Sequence, residues 1–205
     1  MTMLNAIDLH LWRGEQQVLR AVSLSVEAGQ CLQVSGVNGA GKSTLLRALC
    51  GLLPLESGQV QWRGSDVLAD RYAFHAELAW LGHGTGLKGD LTAHENLRYS
   101  AGLRRRLQPG DIEAALRAVG YASADTRLVR QMSAGQQRRV ALARVLLLAC
   151  PLWMLDEPTA NLDRHGQELF GQLLHAHLER GGLAVVATHQ DLGLSGRRRQ
   201  ELTLT

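Results

Sequence analysis

Cysteine is scarce and unpatterned: Cys31, Cys50 and Cys150 form no CxxC pair. An odd, scattered set argues against a disulfide framework and fits buried thiols in a reducing cytosol. Long apolar runs are missing too. The longest, Val145 to Leu155, is split by Pro151 and falls far short of the ~20 residues a spanning helix needs, so the chain is not expected to cross a membrane by itself. The opening MTMLNAIDLHLWRG has no basic start followed by an apolar stretch, and no secretion signal is read from it. Internal repeats and low-complexity segments are absent. Net charge is only +3, with the basic excess confined to Arg104–Arg106, Arg138–Arg139 and Arg197–Arg199. These runs are expected to be solvated faces and a frayed tail, an anionic membrane surface being the alternative reading.

What is present is an ordinary globular balance: 205 residues, 45% apolar and 20% charged, enough for one well-packed domain with room for an inserted subdomain. Residues 1 to about 30 alternate apolar and polar, which predicts antiparallel strands turning at Arg13–Gly14 and Ala28–Gly29. Ser57 to Gly64 reads as a further short strand. Cys31–Ser35, Leu152–Asp156 and Leu183–His189 read as buried strands. STLLRALC, from Ser43, has helical spacing with Gly51 as its stop, and HGQELFGQLLHAHLER is helical. Strands alternating with helices imply a parallel α/β core of three layers. Residues 77–146 change character to helices, with Pro109–Gly110 as a turn, and are expected to be a helical insertion. Residues 1–76 and 147–205 would then form the core.

Gly36, Val37, Asn38, Gly39, Ala40, Gly41, Lys42, Ser43 and Thr44 match G-x-x-x-x-G-K-[ST] between a buried strand and a helix. Glycines let backbone N–H groups turn inward around a phosphate, and the helix that follows presents its positive end. Lys42 supplies charge near the β and γ phosphates, and the Ser43 hydroxyl can ligate Mg²⁺. Asp156, ending the apolar run LWMLD, is the second expected Mg²⁺ ligand. Glu157 is placed to polarise an attacking water. A second polar, glycine-containing turn, MSAGQ (Met132–Gln136), opens the helix QQRRVALARVLLL far from the first. Ser133, Ala134, Gly135 and Gln136 there can form a second anion-binding helix end, a capped helix start with no ligand being the favoured reading of the turn taken alone.

Gly36–Ser43, MSAGQ, LWMLDEP, NLD (Asn161–Asp163) and His189 occur in the order and spacing of the ATP-binding cassette family, and the resemblance covers essentially the whole chain. It implies a P-loop NTPase: a RecA-like parallel sheet core with an N-terminal antiparallel β subdomain and an inserted α-helical subdomain. It implies ATP hydrolysis with Mg²⁺ by a homodimer formed on ATP binding, in which each Ser133–Gln136 turn closes over the partner's γ-phosphate. It further implies that Trp12 stacks on adenine (packing being the other reading for a tryptophan), that His189 contacts the γ-phosphate, and that Asp163 couples the two sites. His10, His165, His175 and His177 have no ligand-like context and read as surface or packing residues.

Two positions depart from the family pattern. Ala134 replaces a signature glycine, and His83 stands where the family has a glutamine that contacts Mg²⁺ and water, so His83 joins the candidate catalytic residues. LGHxxGLKxxLTxxENL with SAGQQRRVALARVLL is similar to the ATP-binding subunits that serve bacterial cytochrome c maturation. That narrower resemblance implies work for haem export, or for release of haem from its periplasmic chaperone, with separate membrane permease subunits (CcmB-like, CcmC-like). The chain would sit peripherally on the cytoplasmic face of the inner membrane, with no nucleic acid partner. The membrane partner's socket would lie around His83 to Asn96. No CxxCH or other haem-ligand motif is present, so substrate choice would rest with the partner. A cytosolic non-transport ATPase of the same family, or the ATPase of another small-molecule transporter, is the rival expectation. With few residues after His189, no regulatory domain is expected.

Overall fold

A computed structural model describes residues 2–204, apart from the side chains of Thr2 and Arg197. β1 (Thr2–Arg13) and β2 (Gln16–Glu27) form an antiparallel hairpin, and β4 (Ser57–Trp62) pairs with the far side of β1. The two-residue β5 (Ser65–Asp66) completes this sheet in the order β2-β1-β4-β5. Turns fall after Arg13 and at Ala28–Gly29, where the alternation ends.

The second sheet is wholly parallel, in the order β6-β7-β8-β3-β9. Its strands are β3 (Cys31–Gly36), β6 (Leu78–Leu81), β7 (Leu152–Asp156), β8 (Leu183–Ala187) and β9 (Arg199–Leu204). Every residue of β7 and β8 is buried, as continuous apolar runs covered on both faces require. Alternate residues divide between two cores. Leu152, Met154, Leu183 and Val185 pack with α1 (Lys42–Leu49) and the antiparallel sheet; Trp153, Leu155, Ala184 and Val186 pack with the helices behind. Each such buried leucine or methionine contributes roughly 2 kcal/mol.

The helices behind are α3 (Ala93–Gly102), α4 (Asp111–Ala118), α5 (Ala134–Leu148) and α6 (Arg164–Glu179), while short α2 (Arg71–Ala76) precedes β6. From Val140 onward α5 is apolar except at Arg144, which suits its place between the sheet and α3 and α4.

Three expectations change. The helical stretch does not begin at residue 77, because Leu78–Leu81 is an edge strand of the parallel sheet, hydrogen-bonded in register with β7. The basic C-terminus is not a frayed tail: Arg199 opens β9, which pairs with β3 along its whole length. The side chain of Arg197, in the same run, lies outside the described residues. Arg138 is not on a solvated face but is 2% exposed.

Candidate active site

The parallel strands deliver their functional residues at their carboxyl ends, where open α/β sheets bind ligands. Gly36 ends β3, Asp156 ends β7, His189 follows β8 and His83 follows β6. Lys42, Ser43, Thr44, Asn38, Gly39, Gly41, His83, Asp156 and Glu157 line one cleft of ≈ 250 Å³, together with Arg13 from the β1–β2 hairpin. Gly41 is the N-cap of α1 with φ 95, and a Cβ there would lie 2.5 Å from Val18 Cγ1, so only glycine lets the hairpin approach. The first turn of α1 has no side-chain cap and no acidic residue. Its N–H groups and dipole are therefore directed at the cleft, which suits an anion.

Lys42 is buried, and its ammonium donates to the carbonyls of Gly36 (2.7 Å) and Val37 (3.2 Å) and faces His189 Nε2 at 3.0 Å. A phosphate entering the loop competes for this ammonium. Asp156 is 2% exposed and its Oδ2 has no hydrogen-bond partner. A buried carboxylate oxygen without a donor is costly unless a cation meets it. With Ser43 lining the same cleft, the donor set is hard oxygen, which fits Mg²⁺. Among the described residues no cluster of three or more His, Cys, Asp or Glu could hold a metal alone, so phosphate oxygens and water would have to supply the remaining ligands.

Glu157 sits at φ 48, a conformation costing a non-glycine residue about 1–3 kcal/mol. Its N–H donates to Ala187 O at 2.8 Å, and its carboxylate oxygen lies 3.9 Å from His189 Nε2. His83 is exposed on the cleft rim, carried by the loop after β6. Buried Asn96 holds that loop: its carboxamide accepts from Lys88 N (2.7 Å) and donates to the carbonyls of Lys88 (3.0 Å) and Thr92 (3.0 Å).

Trp12 is 49% exposed at the hairpin end and does not line the cleft; its neighbour Arg13 does. Ser133, Ala134, Gly135 and Gln136 do not line it either. They form the first turn of α5, closed by a capping box: Gln136 N donates to Ser133 Oγ (3.2 Å), and Ser133 N donates to Gln136 Oε1 (3.0 Å). Unlike the start of α1, this turn satisfies two of its own donors. Gly135 packs against the turn after Glu157, where a Cβ would meet Asn161 O at 2.6 Å. Asp163 caps α6 through Gly166 N (2.8 Å) and pairs with Arg139 (2.6 Å). The Gly166 amide, then Arg139, hold its carboxyl below the usual carboxylate range.

Sequence reasoning missed Arg13 and Arg138, and gave Asn96 no part in holding the His83 loop. A lone polar residue carries no periodic signal, and a buried arginine in a basic pair looks like a solvated one.

The chain is similar to known proteins over nearly its whole length. The family model for "ABC transporter" matches residues 19–160. The chain is 47% identical to the cytochrome c biogenesis ATP-binding export protein CcmA of Xanthomonas axonopodis pv. citri (strain 306), covering 98% of this chain and 94% of that protein. It is 43% identical to the protein of the same name from Salmonella typhi (99% and 97% covered) and 40% identical to that from Vibrio cholerae (98% of each). Among solved structures it resembles the dimeric bacterial ABC transporter cassette MJ0796, with TM-score 0.84 and 25% identity over 98% of this chain and 94% of that one. A dimeric post-hydrolysis state of the same cassette, bound to ADP and Pi, gives TM-score 0.82 and 26% identity over 92% and 88%.

Proposed function

The chain belongs to the ABC transporter family, and on that premise we propose that it is the ATP-hydrolysing subunit of an exporter serving cytochrome c biogenesis. The observation that carries the chemistry is the single cleft that gathers Lys42, Ser43, Asp156, Glu157 and His83 around an uncapped helix start. Lys42 and the amides of Gly39–Thr44 hold the phosphates. Ser43 and Asp156 would hold Mg²⁺, which when bound neutralises phosphate charge as the terminal bond breaks. Glu157 polarises the attacking water, and His189 and His83 orient the γ-phosphate and that water. Trp12 stacks on the adenine beside the hairpin. Ser133–Gln136 close on the nucleotide of a second copy, with Asp163 beside them coupling the two sites, and relatives of this fold form dimers. In this reading the chain is one cassette, its helical part being the insertion that carries the second turn.

No helix among the described residues is long and apolar enough to cross a membrane. In this reading separate permease subunits, CcmB-like and CcmC-like, form the transport path, and the chain sits peripherally on the cytoplasmic face of the inner membrane. An apolar cleft of ≈ 430 Å³ supports such docking. It is lined by Leu52, Tyr72, Leu78, Trp80, Leu103 and Arg104, with Tyr72 89% and Leu103 73% exposed, and Trp80 is three residues from His83. The cytochrome assignment is supported by relatives that match over nearly their full length. It is tested in cells: Lys42→Ala should abolish mature c-type cytochromes and leave b-type haem proteins normal. Normal c-type cytochromes in that strain would sink the assignment while leaving the ATPase chemistry standing.

A further inference from the structure

Arg138 lies in α5, five positions after the Ser133 cap, and is 2% exposed. A guanidinium tolerates such burial only when its donors are matched. All five of its hydrogen bonds end on backbone carbonyls, from two separate segments. Nη2 donates to Asp156 O (2.6 Å) and to Glu157 O, and Nε donates to Pro158 O (3.1 Å). Nη1 donates to Gly82 O (3.1 Å) and His83 O (3.4 Å). The left-handed backbone of Glu157 is thus held from both sides, by Ala187 O on its N–H and by Arg138 on its carbonyl.

We infer that Arg138 is a positioning residue for ATP hydrolysis, fixing the backbone from which Glu157 and His83 project and tying both to the helix that begins at Ser133. The inference rests on the reading of Glu157 as the hydrolytic carboxylate. Its consequence is a rigid link between half-sites: a nucleotide seated against the Ser133 turn of one copy acts on that copy's own Glu157 and His83 through one side chain. Lysine cannot replace it, because one ammonium cannot reach both the Asp156–Pro158 turn and the Gly82–His83 loop, whereas a planar fork of five donors can.

The test uses the full-length chain carrying Arg138→Met and Arg138→Lys, each alone and combined with Glu157→Gln. ATPase rates are measured across ATP concentrations beside equilibrium ATP binding and melting temperature. Arg138→Met should lower kcat by about thirtyfold or more while KM and ATP affinity stay within about threefold, and Arg138→Lys should recover only part of the rate. In the Glu157→Gln background, Arg138→Met should cost less than about twofold further, because the two residues act on one step. A kcat within about twofold of wild type in Arg138→Met, or an equal loss in both backgrounds, would overturn the inference. So would a rate that falls only as the folded fraction falls. If Arg138→Met does not fold, Arg138→Lys, which keeps the charge and stem, carries the same comparison. A Glu157→Gln protein with wild-type turnover would sink the reading of Glu157 itself and this inference with it. A silent Arg138 beside an inactive Glu157→Gln protein would sink the inference alone.

Discussion

Single residues here answer to more than one demand. Lys42 already has three partners in the loop and His189, so phosphate binding exchanges hydrogen bonds rather than creating them from nothing. Lys42→Ala should accordingly lose most nucleotide affinity without loss of folding, as isothermal titration beside a melting curve would show. Gly135 was legible in the sequence as part of a second anion-binding turn, but its missing Cβ serves contact with Asn161 O. Gly135→Ala must push the Ser133 turn off the loop after Glu157. A destabilisation of about 1–3 kcal/mol, as overpacking gives, and a lower ATPase rate are expected from denaturant titration and turnover assays. An alanine variant as stable as wild type would show that the loop yields without cost. Residue type and spacing singled out Gly36–Thr44 and Asp156 as candidates because phosphate and metal chemistry restricts which side chains can serve. They could not identify Arg138, whose partners are carbonyls that any sequence carries.

At the scale of elements, buried strands and capped helices were readable, and the edges of the parallel sheet were not. β7 and β8 are apolar runs that no alternative structure would bury so well. β9 reads as a polar tail because its pattern is half exposed, and only pairing with β3 makes it a strand. α6 illustrates a hidden dependence. His177, near its end, stacks on Trp153 with ring centroids 3.9 Å apart, and its Nε2 lies 3.1 Å from Leu183 O. Burial depresses its pKa to about 4. The folded state therefore binds this proton less readily than the unfolded chain, whose histidine titrates near ~6.5. Stability from this group is fully present above ~6.5 and is lost as pH falls toward 4, a contribution on the order of 3 kcal/mol. His177→Gln should flatten the melting-temperature profile over that window relative to wild type. An unchanged profile would place the acid sensitivity elsewhere. At the other end of α6, Asp163→Asn should keep the cap to Gly166 and melt closer to wild type than Asp163→Ala. Comparing their ATPase rates separates capping from coupling between sites.

At the scale of the whole molecule, the two glycine turns differ. The α1 turn opens uncapped into its own cleft, while the Ser133 turn is closed by its own capping box and lies outside that cleft. With ATP and Mg²⁺, Glu157→Gln should run as a dimer on size-exclusion chromatography with light scattering, and wild type should return to monomer as ATP is consumed. A variant that stays monomeric at saturating ATP would contradict the shared-site reading. The sequence by itself determined the strand–loop–helix setting of Gly36–Thr44, Asp156 at the end of a buried strand, three of the buried strands and the presence of a second polar helix start. Each depends on local residue chemistry or on runs long enough to show a period. Only the tertiary structure decided that Leu78–Leu81 and Arg199–Leu204 are sheet edges, that Trp12 stands outside the cleft while Arg13 lines it, and that Arg138 is buried. The physical reason is common to all three: pairing an edge, closing a cleft and satisfying a buried cation depend on backbone brought from distant parts of the chain, and backbone carbonyls and amides are the same whatever side chain they carry.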